Sequence, residues 1–219
     1  MLLLETTSTK VAGQICPLCE HRADPVEADE LFECYICRGI FRFHKFHLSP
    51  EREKERYLEH NNDVHDAGYR QFVFPITNAI LKTYDRQAIG LDFGAGTGPV
   101  ISEVLQEKGY RVVQYDPFFF PDARLLNATY DYIVCCEVIE HFSNPAREFA
   151  LLKRLLKPGG RLYCMTHLYD ETISFSNWYY KKDPSHVFFY RAETLTWIAQ
   201  AFGYSSVNIQ NRLVVFQND

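Results

Sequence analysis

From residue 88 onward the chain alternates short apolar runs with amphipathic stretches. "AIGLDF" reads as a buried strand and runs straight into three alternate glycines, Gly94, Gly96 and Gly98, in "LDFGAGTGPV". Pro99 suits the first turn of a helix whose apolar positions are Val100, Ile101, Val104 and Leu105 and which stops at Gly109. "RVVQYD" is then a second strand, ending at Asp116, eighteen residues after Gly98. Strand, glycine loop, helix and strand in succession predict an α/β domain over residues 87–219. Upstream, "SPEREKERYLEHNN" is a densely charged helix with Ser49 as N-cap and Pro50 at its first position. "GYRQFVFPITNAIL" is apolar and helical in part, with Pro75 at a helix start or a kink. Together they form a connector over residues 49–86, and its second segment is expected to lie over the ligand site as a lid or brace.

Length and composition narrow the function. A chain of 219 residues holds one full α/β domain and a small appendage. A formal charge of −5 supplies no electrostatic footprint for a polyanion. "MLLLETTSTK" has neither a basic leader nor an apolar stretch of signal-peptide length, and no later run reaches membrane-spanning length. The expectation is a cytoplasmic protein with no membrane partner, in a reducing setting where seven cysteines do not form a disulfide framework.

Four of those cysteines form two knuckles, Cys16 and Cys19 in "CPLCE" and Cys34 and Cys37 in "CYIC", with fourteen residues between the inner pair. Two residues of separation let both thiolates of a knuckle reach one ion, and two knuckles close a tetrahedron with no open position. The reading is a structural Zn2+ ribbon over residues 1–48, which the metal would stabilise because so short a segment buries too little surface alone. The alternatives are buried free thiols, or a redox pair, which would need a single such motif opening a helix in a βαβ unit. His44 and His47 are read as surface or core residues, since four thiols already suffice.

The glycine loop allows the backbone to approach a ligand at a helix N-terminus, while a carboxylate at the tip of the next strand accepts both ribose hydroxyls. That combination fits a nucleoside-containing cofactor. The spacing is Gly-x-Gly-x-Gly, without the dinucleotide fingerprint, and no second domain is available for a hydride acceptor.

Taken in order, "LDFGAGTG", "VVQYDP", "YDYIVCCEVIEHF", "LLKRLLKPGGRLYCMT" and "FYRAETLTWIAQAFGY" resemble the class I S-adenosylmethionine-dependent methyltransferases of small-molecule type, over about residues 60–217. The resemblance implies a Rossmann-like sheet, mostly parallel, ending in an antiparallel hairpin, here "SSVNIQ" and "RLVVFQ". It implies S-adenosyl-L-methionine as cofactor, with Gly94, Gly96 and Gly98 against its methionine and ribose, and Asp116 on the ribose hydroxyls. Cys136 and Glu137 would lie at its amino acid end. Asp92 would fix the loop, or merely cap it. The chain departs from the family between Asp116 and Asp131, where fourteen residues replace a helix, a strand and an adenine-reading acid. The sheet is therefore expected to be one strand short. The adenine contact falls to Asp122 or to backbone groups, and Phe118 to Phe120 wall the pocket or fill the vacated space.

A base helps methyl transfer only where the acceptor must lose a proton. His141, His167 and His186 are the candidates, with His141 and His186 assigned the catalytic role. "EVIEH" would put Glu137, Glu140 and His141 on the first turn of a helix, on one side. It resembles the Glu-x-x-Glu-His of the metal-dependent ubiquinone-pathway O-methyltransferases and small-RNA 2′-O-methyltransferases, which implies a candidate Mg2+ site completed by His186. The same letters also start a helix and help bind cofactor in metal-free members.

Trp178, Tyr179 and Tyr180 fall in the stretch from Leu168 to Tyr190, where the family places its substrate cover. They suggest a small acceptor that is aromatic, quinone-like or sugar-like. A cysteine ribbon before this fold also resembles the ribosomal-RNA guanine methyltransferases with a zinc finger and certain sugar C-methyltransferases. Residues 1–50 carry five Lys or Arg against seven Asp or Glu, which disfavours docking of rRNA or tRNA. A third reading, a non-catalytic cofactor-binding interaction module, is opposed by the intact glycines and Asp116.

Overall fold

A computed structural model describes residues 13–27, 30–59 and 63–219. The leader segment "MLLLETTSTK" and the tail of the charged helix, residues 60–62, lie outside the described residues. The chain runs β1 (Gln14–Ile15), β2 (Arg22–Glu27), β3 (Leu31–Cys34), β4 (Ile40–Arg42), α1 (Pro50–Leu58), α2 (Ala67–Thr83), β5 (Ile89–Phe93), α3 (Val100–Gln106), β6 (Arg111–Tyr115) and β7 (Tyr130–Cys136). It continues with α4 (Pro145–Leu155), β8 (Leu156–Met165), β9 (Phe188–Phe189), α5 (Ala192–Ala201), β10 (Ser206–Gln210) and β11 (Leu213–Gln217).

Six strands form the main sheet in the order β10-β11-β8-β7-β5-β6. The four strands from β8 to β6 are parallel, and the β10–β11 hairpin is antiparallel, as the resemblance implies. Alternation along β7 explains how the sheet is covered on both faces. Ile133 and Cys135 face the cluster that holds Phe149 and Leu152 of α4 and Leu195 and Ile198 of α5. Tyr132 and Val134 face the opposite cluster, with Val73, Ile76 and Ile80 of α2 and Val100, Ile101 and Leu105 of α3. Each such aliphatic side chain contributes roughly 1.5–3 kcal/mol by leaving water.

The expected strand shortage is present: among the described residues, 117–129 form a 3-10 turn at Ala123–Asn127 and no strand, so β6 is a sheet edge. An isolated bridge between Asp116 and Phe120 folds this segment back on the tip of β6.

Pro99 stands at the start of α3, as its N-cap, and Gly109, at φ +83°, lets the chain leave the helix. Of the two readings of Pro75, the position inside α2 is the one observed, because the Asp66 side chain caps the helix earlier by accepting from the Tyr69 N–H at 2.6 Å. One local expectation is corrected. "EVIEH" does not open an α-helix: Glu137 leaves β7 at φ +52°, residues 139–141 make one 3-10 turn, and α4 starts only at Pro145 under an Asn144 cap. Glu137, Glu140 and His141 therefore share no helical face.

The two cysteine knuckles lie on a second, antiparallel sheet of order β1-β2-β3-β4-β9. Its last strand comes from the region of the proposed substrate cover, with Ile40 opposite Phe189 and Phe41 opposite Phe188. Among the described residues no helix is long and apolar enough to cross a membrane.

Candidate active site

A cleft of about 850 Å³ opens at the C-terminal ends of β5, β6 and β7, where an open α/β sheet places its ligands. Gly94 and Gly96 turn the chain away from β5 at φ +79° and +61°. A methyl group on Gly94 would lie 2.6 Å from Val138 Cγ2, so both the backbone angle and the space require glycine. The Gly94 N–H donates to Tyr115 O at 2.8 Å, which ties the loop to the tip of β6.

Asp116 organises that tip. One carboxylate oxygen accepts from the Gly96 N–H at 3.0 Å, and the other accepts from the N–H groups of Phe118 and Phe119 at 2.8 and 3.0 Å. Asp92 lies beneath the loop, outside the cleft lining, where its carboxylate accepts from Ser102 Oγ at 2.8 Å. Burial raises its pKa to about 6. It joins β5 to α3, so the plainer reading, a support for the loop, describes its position. Gly98 likewise lies off the cleft wall, while Gly94, Gly96, Asp116, Cys136, Glu137, His141 and His186 all line it.

Of the three phenylalanines, Phe118 faces the cleft. Asp122 does not: it pairs with its neighbour Arg124 and borders a separate groove. Glu148 of α4 also lines the cleft, with its pKa raised by burial.

Two histidines line the same cleft. Their rings meet edge to face at 4.9 Å, with His141 Nδ1 2.9 Å from Ser185 O and His186 Nδ1 2.7 Å from Tyr180 O. A carbonyl can only accept, so in each contact Nδ1 carries a proton. Tyr57 of α1 packs between His141 (5.3 Å) and Phe118 (5.9 Å), and its hydroxyl donates to Glu53 at 2.6 Å. His167 borders a different pocket, with Nδ1 3.1 Å from the Tyr179 hydroxyl.

Two acids lie near the histidines, Glu140 in the interior and Glu137, half-buried, on the cleft lining. Glu140 is fully buried, and its carboxyl accepts from the Tyr180 hydroxyl and from Thr166 Oγ1, the latter at 3.1 Å. Burial, reinforced by the charge of Glu137, pushes its pKa up to about 8. Burial also raises Glu137, against the pull of Arg212, whose guanidinium donates to it at 2.8 Å.

Two sets of metal-capable side chains are present among the described residues, each with its ligand atoms within 4.8 Å of one another. One is Cys16, Cys19, Cys34 and Cys37. The other is Glu140, His141 and His186, three of the four residues expected together; the fourth, Glu137, is outside the set and pairs with Arg212. The second set offers two imidazoles and a single carboxyl, a poor match to magnesium, which takes hard oxygen ligands and water.

Several cleft residues carry little signal in the sequence. Glu53, Arg56 and Tyr57 belong to a helix read only as a charged connector, although Tyr57 is the sole aromatic in it. Arg212 sits in the tight turn of the terminal hairpin, and Glu148 in the first turn of α4; both come to the cleft only through tertiary packing.

This sheet and cleft define a Rossmann-like methyltransferase fold. Residues 65–209 match a family model described as "Methyltransferase domain", which covers more than half of the chain, and the chain belongs to that family. Human N-acetylserotonin methyltransferase, solved in complex with SAM, is similar at TM-score 0.53 and 10% identity over 78% of this chain and 56% of that one. An O-methyltransferase family protein from Burkholderia thailandensis is similar at TM-score 0.52 and 15% identity, over 76% of this chain and 63% of that one. A SAM-dependent methyltransferase from Archaeoglobus fulgidus gives TM-score 0.51 and 21% identity, over 64% and 71%. The chain thus spans less than two thirds of the human and Burkholderia proteins. No curated protein matches it significantly.

Proposed function

We propose that the protein is an S-adenosylmethionine-dependent methyltransferase acting on a small acceptor that carries an ionisable hydroxyl on an aromatic, quinone-like or sugar-like frame. The observation that carries this reading is one cleft lined by the Gly94–Gly96 loop, Asp116 and the His141–His186 pair.

The unpaired capacity on the cofactor wall suits S-adenosylmethionine. Oδ2 of Asp116 accepts only the Gly96 N–H and keeps a lone pair, which suits a ribose hydroxyl, while Oδ1 is taken by the Phe118 and Phe119 N–H groups. Glu137 has a buried oxygen, Oε1, without a hydrogen-bond partner, which suits the ammonium group at the amino acid end. Glu148 replaces Asp122 as the proposed partner of the adenine amino group. When bound, S-adenosylmethionine supplies a methyl group on a positively charged sulfur, already activated for transfer to an aligned lone pair.

The chain's own contribution is to orient the acceptor and take its proton. His141 and His186, held as Nδ1–H tautomers, present Nε2 as the base, and Tyr57, Phe118 and Tyr179 give a planar acceptor flat surfaces to lie against.

We also propose that the four cysteines hold Zn2+. Their sulfurs approach to 3.3 Å (Cys19–Cys34) and 3.6 Å (Cys16–Cys37). Those separations are near the roughly 3.8 Å of a tetrahedral set about 2.3 Å from its ion and far from a disulfide.

Methyl transfer from S-adenosylmethionine to a panel of phenols, catechols and sugars tests the reading. O-methylated product formed by wild type and lost in His186→Gln is expected; equal rates in the variant would remove the base assignment.

A further inference from the structure

The four-cysteine sheet and the histidine wall are one continuous hydrogen-bonded structure, and Arg42 is the joint. Arg42 ends β4, eight residues before the connector helix, and is 8% exposed. Its backbone N–H donates to Val187 O at 2.8 Å, its Nε to His186 O at 3.2 Å and its Nη2 to Lys181 O at 2.8 Å. The third guanidinium nitrogen pairs with Glu30 on the same sheet. One side chain therefore pins both ends of the 181–187 segment, which presents His186 and supplies Ser185 O to His141. The next N–H along, that of Val187, donates to Glu140 O at 2.9 Å and fastens the segment to the turn bearing His141.

The surrounding contacts have the same direction. Glu27 and Glu33 of the cysteine sheet pair with Lys181 and Arg191, so its acidic side chains are used internally, against the segments that flank the histidine wall. Phe41 stacks on Phe188 at 6.4 Å, and a methyl group on Gly39 would lie 2.4 Å from the Phe188 ring. This is the packing of a core, not of a docking module on a tether.

We propose that Arg42 is a positioning residue that sets the orientation and tautomer of His186, and with it His141, and that the cysteine sheet is an internal brace of the acceptor wall. The proposal rests on the reading of these histidines as the acceptor-side bases. A lysine cannot replace Arg42, because a single ammonium at the end of a flexible stem cannot reach two carbonyls and a carboxylate in the fixed fork of a guanidinium.

The test is long-range 1H–15N correlation of the histidine rings in the full, zinc-loaded chain, with His186 and His141 assigned by their loss in His186→Gln and His141→Gln. Wild type is expected to show both as fixed Nδ1–H tautomers. Arg42→Lys is expected to average the His186 tautomers while zinc content and calorimetric S-adenosylmethionine affinity stay at wild-type values. His186 spectra that superimpose in wild type and Arg42→Lys would overturn the proposal, as would averaged tautomers in wild type. Should Arg42→Lys not fold, Glu30→Gln, which removes an accessible partner of the guanidinium, is read in the same way: a shifted His186 signal supports the proposal, and an unmoved one overturns it. Failure of wild type to bind S-adenosylmethionine would instead count against the functional reading, whatever the ring spectra show.

Discussion

Asp116 does two jobs at once. Its carboxylate accepts three backbone N–H groups that shape the loop, and it faces the cleft. Asp116→Ala is therefore expected to weaken S-adenosylmethionine binding by roughly 10- to 100-fold, the equivalent of about 1.5–3 kcal/mol for charge-assisted bonds, and also to lower the melting temperature. Unchanged calorimetric affinity would show that the ribose lies elsewhere. Glu140 behaves differently. Its pKa rises on folding from 4.5 to about 8, so the folded chain holds a proton that the unfolded chain releases in between. Stability should fall as pH rises through that window, by at most about 1.4 kcal/mol per unit, and level off above it. Melting curves of Glu140→Gln should lose this slope; an equally steep decline in the variant would assign it to other groups, such as Asp92. At this scale the sequence was informative where a residue type was needed for a backbone reason. Gly94 and Gly96 could be read because few other residues reach φ near +70°. Asp122 was offered, beside backbone groups, for the adenine contact; it pairs with Arg124 two positions on and lies off the cleft lining, which Glu148 reaches from a distant helix.

Elements were legible where local chemistry and tertiary packing agree. The Ser49 cap and Pro50 start of α1 are observed, with Ser49 accepting from the Arg52 N–H at 3.4 Å. "EVIEH" failed as a helix because the strand exit at Glu137 requires a left-handed residue before the chain can turn, and that requirement has no local marker. The pairing of β4 with β9 was out of reach for a different reason: strands of three and two residues separated by well over a hundred positions leave no periodicity. That pairing carries its own prediction. Gly39→Ala should destabilise the chain by about 1–3 kcal/mol by forcing a methyl group into the Phe188 ring. The same change on the open surface at Gly159, where nothing lies within 4 Å, should show only the strain of its positive φ. Equal melting shifts for the two variants would mean that the joint is loosely packed. Removal of zinc by a chelator should likewise loosen β4 and β9 together, read as faster amide exchange at Val187 and Phe188 as well as at Cys34 and Cys37. Faster exchange confined to the knuckles would show that the brace does not reach the acceptor wall.

For the whole molecule, the main sheet ends at β6, the short segment that follows brings Pro117 and Phe118 to the cleft, and α1 lines the same cleft through Glu53, Arg56 and Tyr57. The class of fold was visible because its blocks fall in order along the chain; the make-up of the acceptor wall was not, because it is assembled from α1, the 3-10 turn at 139–141, the 179–186 segment and the terminal hairpin. The central claim is that this cleft receives S-adenosylmethionine. The most direct measurement is calorimetric titration of the full, zinc-loaded chain with S-adenosylmethionine and, separately, with NADH. Saturable binding of S-adenosylmethionine at one site per chain, with no heat from NADH, is the predicted result. Binding of NADH, or of neither ligand, would contradict it.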